Sequence, residues 1–422
     1  MDQLYNPLKL SVYRPLFHRK RVLIIGGGAV GSNVAENIAK MGSSLDIIDF
    51  DRFSLENAAK HSCLVRTPED VGRNKAECVS ARVQPLLEEG CTSNGIDTDL
   101  CMLGPEAIAE YDAVILCVDN FAAKILFNQL WLQIPADRRP VVIMDGTNNE
   151  TAQSVMLDGK RFCLRCITDE SWLKDSAVRT SCSGPQIRQI DGVPEIIRTS
   201  GVASSIAANL SCEQFRAWVI GDESAMNCRL TYTAYPNLEL SVSRPFAKPH
   251  CPDCGAAPPS EPRWLPGTVL KTTLRSALAQ IRDALGTDAF EIAVHPLNYK
   301  NIMYSGFITE DVCHVCGKPI PVMKHEGRTF LEDLVCESCR QEGRTPHYDT
   351  AFLSSNILYA FTADTSQEIQ DMTLFDLGYP LGAHIEVIQR NQALDFLDGD
   401  KIVKTKFAFR DDGRQMHLIR KL

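Results

Sequence analysis

Residues 21–32 read RVLIIGGGAVGS, and they decide the fold. The first five residues are an apolar, β-branched run of the kind found in a strand buried on both faces. The glycines follow at once. Val30, Val34, Ile38 and Met41 then recur at helical spacing. The next apolar run, Leu45 to Ile48, ends in Asp49-Phe50-Asp51. This order is a β-α-β unit of the expected length. Further on, Ala113 to Val118 reads as a strand ending at Asp119, and Val141 to Met144 as one ending at Asp145. Strands alternating with helices predict an α/β, doubly wound Rossmann-like domain, its sheet laid out over roughly the first 150 residues.

Gly26, Gly28 and Gly31 form G-x-G-x-x-G between strand and helix. Such a loop lets backbone N–H groups approach a phosphate, and the helix N-terminus adds partial positive charge. Asp49, at the end of the second strand, stands where a carboxylate can hold ribose hydroxyls. The loop specifies a nucleotide without choosing between a nicotinamide cofactor and ATP.

The chain has 422 residues, 44% of them hydrophobic and 23% charged, which suits a globular protein of two or three domains. Its net charge of -9 argues against a nonspecific grip on nucleic acid. No long uncharged apolar run points to a membrane helix, and the first residues lack the pattern of a signal peptide, so a cytoplasmic location is expected. Sixteen cysteines are many for such a chain. Eight fall in Cys-x-x-Cys pairs: Cys163/Cys166, Cys251/Cys254, Cys313/Cys316 and Cys336/Cys339. Metal is the natural explanation where disulfides are disfavoured. Cys313-x2-Cys316-x19-Cys336-x2-Cys339 is a self-contained zinc-ribbon spacing.

The segment from IIDFDRFSLENAAKH through VGRNKAE to LCVDN resembles the ThiF/MoeB family of ubiquitin-activating-enzyme-like adenylyltransferases. The matching positions are Asp49 and Asp51, Asn57, Gly72 with Lys75, and Asp119 with Asn120. The resemblance implies that ATP binds here, that Lys75 meets the phosphates and that Asp119 holds Mg2+. Charge developing on phosphate oxygens calls for such cations. The family's N-L-x-R-Q is Asn57-Ala58-Ala59-Lys60-His61 in this chain. Lys60 offers a point charge in place of a bidentate fork. Related enzymes borrow an arginine from a dimer partner, and Arg14 is the candidate for that role.

The resemblance further implies that Cys163, Cys166, Cys251 and Cys254 form a four-thiolate zinc site around the catalytic crossover segment. A closed site of that kind is structural. It also implies a thioester cysteine ahead of a helix opened by Gly201-Val202, where Cys182 stands, with Arg179 nearby to lower its pKa. About 18 residues separate Cys182 from Gly201, more than the family usually shows. Residues 167–200 are polar and read as a long loop, and residues 201–219 as a helix.

The resemblance covers roughly residues 14–260, so the expected division is an adenylation domain over 1–260 and a C-terminal α+β domain over 261–422, with its ribbon at 310–342. MTLFDLGYPLGAHIEVI, residues 372–388, looks similar to a helix-turn-strand passage of β-grasp, ubiquitin-like folds, which ubiquitin-activating enzymes use to dock a conjugating enzyme. The implied protein is a homodimeric activating enzyme for a ubiquitin-like protein, of the kind found in bacterial conjugation operons, including antiviral ones. A conjugating enzyme is its implied partner. Three rivals remain: a sulfur-carrier adenylyltransferase, a scaffold that keeps the fold without the chemistry, and a dehydrogenase.

Overall fold

The structure is a computed structural model. It describes residues 10–54, 69–119, 121–147, 150–160, 162–167, 186–190, 193–197, 200–235, 237–248, 251, 253–254, 262–294, 306–325, 329, 331–344, 356–389 and 403–409. After helix α1 (Leu10–His18) come strand β1 (Arg21–Ile25), α2 (Ala29–Met41), β2 (Ser44–Ile48), α3 (Lys75–Val83), β3 (Ser93–Ile96), α4 (Pro105–Ile108), β4 (Ala113–Leu116), α5 (Phe121–Gln133) and β5 (Val141–Thr147). Strands β3, β2, β1, β4 and β5 lie side by side and parallel. This is the parallel sheet that the sequence predicts.

Three antiparallel strands extend it: β6 (Thr151–Leu157), β9 (Arg229–Thr233) and β10 (Glu239–Ser243), giving the order β10-β9-β6-β5-β4-β1-β2-β3. The crossover from β6 to β9 carries the short helix α6 (Leu164–Ile167) and the long helix α7 (Gly201–Val219), which the sequence also predicts. Between them lies a correction. Within the stretch expected to be loop, β7 (Gln186–Ile190) and β8 (Val193–Ile197) pair antiparallel. The signal is the Asp191-Gly192 pair between two partly apolar runs, a hairpin pattern hidden by the polar residues around it.

Each face of the large sheet has its own core. On one face α2 and α7 bury Val34, Ile38, Ala207 and Phe215 against Ile24, Ile115 and Ile143. On the other, α5 and α6 bury Phe127, Trp131, Leu164 and Ile167 against Leu23, Val114 and Met144. Burial at this depth is the main force holding such layers together. Helices α2 and α7 run parallel, because Asn33 meets Ser205 at 3.5 Å and Asn37 meets Asn209 at 3.1 Å. Both N-termini therefore lie toward the C-terminal ends of the parallel strands, where an open α/β sheet forms its ligand crevice.

The remainder builds two smaller sheets. β11 (Arg263–Leu265), β12 (Phe290–Ala293), β16 (Ala360–Phe361), β17 (His384–Gln389) and β18 (Val403–Phe409) are ordered β11-β18-β17-β12-β16, with helix α8 (Leu274–Leu285) in their core. β13 (Phe307–Val312), β14 (Pro319–His325) and β15 (Asn356–Leu358) form the third sheet, beside helix α9 (Glu337–Gln341). The 372–388 passage follows α10 (Gln367–Asp371) as a turn, with Gly378 at φ +100° and Gly382 at φ +71°, and then enters β17. That turn docks on the first unit: Leu381 N–H donates to Cys101 O at 3.1 Å, and Gly382 lies against Pro105.

Candidate nucleotide site and cysteine clusters

The glycine loop is compressed against its neighbours. A Cβ on Gly31 would fall 1.9 Å from Gly26 O, and one on Gly26, at φ +100°, would fall 2.8 Å from Cys117 O. Only glycine fits at either position. Gly28 is the opposite case, since nothing lies within 4 Å of the place its Cβ would occupy. The loop is tight underneath and open where it precedes α2. Such a cradle fits a phosphate approaching the helix N-terminus.

Asp49 braces this loop. Its Oδ2 accepts from Gly27 N–H at 2.7 Å and its Oδ1 from Asp51 N–H at 2.8 Å. Burial pushes its carboxyl up to about 6, against the pull of Lys75 and the two backbone donors. Asp51 in turn carries Lys75: Nζ donates to Oδ2 at 2.9 Å, with Lys75 only 2% exposed. The two segments are also tied by main chain, Lys75 N–H donating to Asp51 O at 2.9 Å. Asn74 completes the clamp. Its Nδ2 donates to Asp49 O at 2.7 Å, and its Oδ1 caps α3 by accepting from Glu77 N–H at 3.0 Å. An N-cap of this kind contributes about 1 kcal/mol to its helix.

Asp119 is exposed just past β4, at the same edge of the sheet. Below it sits a group that the sequence reading did not single out. Lys124, 6% exposed on α5, donates to Asp145 O at 2.8 Å. Burial lowers its pKa, while Asp145 and Asp119 pull it back up. Burial pushes the Asp145 carboxyl up to about 6, with Lys124 and a hydrogen bond from Cys117 acting the other way. Among the described residues Asp145 Oδ2 accepts no hydrogen bond. The strand-end position of Asp145 was legible; its pairing with a lysine some twenty residues earlier was not.

Asn57, Lys60, Asn120 and Cys182 lie outside the described residues. Arg14, on α1, is ion-paired with Glu88 of its own chain and is 58% exposed.

Both cysteine quartets assemble. Cys163, Cys166, Cys251 and Cys254 come together, as do Cys313, Cys316, Cys336 and Cys339, each set with its sulfurs within 4.8 Å of one another. Cys163 and Cys251 stand at 3.7 Å, Cys166 and Cys254 at 3.3 Å, and Cys316 and Cys336 at 3.7 Å. Tetrahedral zinc with bonds of about 2.3 Å sets its sulfurs about 3.8 Å apart, so both quartets can hold zinc. The hydrogen bond from Cys163 keeps Cys251 well below the usual thiol range, as a thiolate ligand requires. Asn128, fully buried on α5, supports the first quartet. Its Nδ2 donates to Cys163 Sγ at 3.6 Å and to Asp253 Oδ2 at 2.7 Å, and its Oδ1 accepts from Leu164 N–H.

A doubly wound sheet with a glycine cradle, a braced Asp-x-Asp and a buried lysine at one edge makes an α/β domain with a candidate nucleotide site at its strand ends. The ThiF family profile matches residues 13–304, and the chain belongs to that family. Over 114 residues it is 29% identical to tRNA threonylcarbamoyladenosine dehydratase 2 of Saccharomyces cerevisiae, covering 25% of this chain and 24% of that one. Over 108 residues it is 31% identical to the ATP-dependent ubiquitin transferase-like protein Cap2 of Enterobacter hormaechei, covering 24% and 17%. Over 160 residues it is 26% identical to the NEDD8-activating enzyme E1 catalytic subunit of Dictyostelium discoideum, covering 35% and 36%. The matched stretches thus span little more than a third of those relatives at most. Among solved structures, E. coli MccB with succinimide aligns over 58% of this chain and 69% of its own at a TM-score of 0.45 and 17% identity. Among the described residues no helix is long and apolar enough to cross a membrane.

Proposed function

We propose that this protein uses ATP to adenylate the C-terminal carboxylate of a ubiquitin-like protein, releasing diphosphate, and then takes the acyl group onto Cys182. One observation carries the first half. Asp49, Asp51, Asn74 and Lys75 form a single hydrogen-bonded unit against the glycine loop. Such a unit orients a phosphate-binding cation before substrate arrives, which is how preorganised sites stabilise developing charge. In this reading the loop residues Gly26, Gly28 and Gly31 seat the phosphates, Asp49 holds the ribose, and Lys75 takes the α-phosphate side, with Asn57, Lys60 and Asn120 completing the pocket. Asp119 is the carboxylate that would hold Mg2+, which, when bound, neutralises charge on the phosphate oxygens.

The second half rests on sequence position. Thiolate attack by Cys182 on the acyl-adenylate would form a thioester and expel AMP. The first cysteine quartet would anchor the crossover that carries Cys182, and the C-terminal unit would present a surface to a conjugating enzyme. Arg14 would serve the site of a second copy. The names of two relatives, one ubiquitin transferase-like and one NEDD8-activating, support a small-protein substrate. The relative named for tRNA modification favours a second reading, in which the activated carboxylate belongs to another class of substrate and no thioester forms.

ATP–pyrophosphate exchange with small proteins ending in glycine tests the proposal. Exchange that persists in Cys182→Ala, with a thioester band lost on a nonreducing gel, is the expected result. Exchange without any thioester in the wild type supports the second reading. No nucleotide binding at all overturns both.

A further inference from the structure

Asn74 is completely buried, and a buried amide is stable only where its polar atoms are bonded. Its neighbours fix which way it points. The Glu77 N–H faces one end at 3.0 Å, and two carbonyls face the other, Asp49 O at 2.7 Å and Asp51 O at 3.4 Å. Oδ1 therefore serves α3, and Nδ2 serves the segment that follows β2. Main-chain bonds join the same two segments further along. Phe53 N–H donates to Arg73 O and Gly72 N–H to Phe53 O, both at 2.8 Å, and Arg52 and Asn74 form an antiparallel bridge. This ladder ends at Asp51, whose carbonyl receives Lys75 N–H at 2.9 Å. The Asn74 side chain carries the connection onward to Asp49. Asp49 is the carboxylate against the glycine loop, and each of its oxygens has a further lone pair beyond the backbone donor it already holds.

We propose that Asn74 is a positioning residue that keeps the Asp49 carboxylate in register with the Lys75 ammonium, so that one nucleotide's ribose hydroxyls and phosphates are held together. The proposal rests on the adenylation reading above and deepens it. Lys75 opens α3, and Asp49 follows β2. The two belong to different elements, so their spacing depends on what ties the start of one to the end of the other. Lys75 has its own ties to Asp51, through Nζ and through its main-chain N–H, and these remain without Asn74. Asp49 loses the bond at its carbonyl. The ribose end of the cradle then shifts while the phosphate end stays. A hydrogen bond weakens quickly once its partners separate beyond about 3.2 Å, so a small shift is enough to lose the ribose.

The test compares ATP with 2′,3′-dideoxy-ATP, which lacks both ribose hydroxyls, by calorimetry on the full-length protein. The wild type should bind ATP about tenfold or more tightly than the dideoxy nucleotide, the scale of hydrogen bonds to a charged group. Asn74→Ser keeps a capping oxygen for α3, since serine caps about as well as asparagine, but its hydroxyl is too short to reach Asp49 O. It should leave dideoxy-ATP affinity within about twofold of wild type and bring ATP down to the same level. Asn74→Ala loses the cap as well. It should melt below Asn74→Ser and show the same affinity ratio of about one. An asparagine that only holds the fold would weaken both nucleotides alike, and more in Asn74→Ala than in Asn74→Ser. A wild-type ratio retained in the variants, or one that follows their melting temperatures, overturns the proposal. A ratio near one in the wild type overturns it too, because Asp49 then does not read the ribose. If one variant does not fold, the other decides alone. If neither nucleotide binds the wild type, the adenylation reading fails and takes the proposal with it. If both bind and the ratio survives substitution, only the role of Asn74 fails.

Discussion

Lys75 Nζ lies 2.9 Å from Asp51 Oδ2, and the pair is lopsided: the lysine is 2% exposed and the aspartate side chain 25%. The two partners therefore do not contribute equally to stability. Removing Asp51 takes a partner from a buried ammonium, whereas removing Lys75 leaves Asp51 to water and Asp49, already pushed up by burial, to take a proton. Asp51→Ala is expected to cost about 3 kcal/mol and Lys75→Met clearly less, as read by urea denaturation without nucleotide. Equal losses would contradict the lopsided burial.

The glycine loop separates folding from binding. Gly31→Ala forces a Cβ to within 1.9 Å of Gly26 O, so the loop must open and both stability and nucleotide affinity fall. Gly28→Ala meets nothing within 4 Å and adopts an ordinary backbone at φ -76°. Its stability should stay within about 1 kcal/mol of wild type, the size of effect typical of a glycine replacement that the backbone tolerates. Its ATP affinity should nevertheless fall, because the new methyl fills the open side of the cradle. Calorimetry with ATP on the two variants checks this.

Metal analysis should find two zinc ions per chain, one for each quartet. The second quartet has Cys316 exposed and Cys336 half-buried, whereas in the first only Cys254 is exposed. Chelator should therefore strip zinc in two phases, the faster one abolished by Cys316→Ser. Asn128→Ala should speed only the slower phase, because its amide bonds Cys163 of the first quartet and Asp253, which lies between Cys251 and Cys254. Loss of such a supporting bond typically costs about ten- to a hundredfold in metal affinity.

Asp145 gives the protein a pH signature. Its carboxyl is pushed up to about 6 from an ordinary 3.8 by burial. Between those values the folded state holds more proton than the unfolded one, so this group's contribution to stability falls as pH rises, and the loss is complete above about 6. Asparagine at this position does not titrate. The melting temperature of Asp145→Asn minus that of wild type should therefore increase from pH 4 to pH 7. A difference independent of pH would show that Asp145 ionises normally in the fold.

The sequence shows its chemistry where that chemistry is local. The glycine loop, Asp49 and the strand-end Asp119 are visible because each sits at a transition from apolar run to polar turn, whereas Asp51 and Lys75 stand out only through the resemblance to the ThiF/MoeB motifs. The cysteine pairs are visible for a similar reason, since ligand spacing is a short-range pattern. The clamp made by Asn74 is not visible, because the carbonyl it holds belongs to Asp49 and only the folded chain brings the two together. Lys124 reads as one polar residue in an apolar helix, and Asn128 as another. Their roles depend on Asp145, Cys163 and Asp253, which neighbouring elements supply. The antiparallel extension β6-β9-β10 is hidden too. Strand β10 is exposed on both faces and has little of the burial pattern that marks a strand in sequence.

The central claim is that Asp51 and Lys75 hold a phosphate-binding cation ready for ATP. The most direct measurement is ATP–pyrophosphate exchange with a small protein ending in glycine, comparing wild type with Lys75→Met under conditions where both are folded. The account predicts exchange by the wild type and a loss of about a hundredfold or more in the variant, the scale typical of removing one preorganised charge from a transition state. Exchange by the variant at close to the wild-type rate would contradict it.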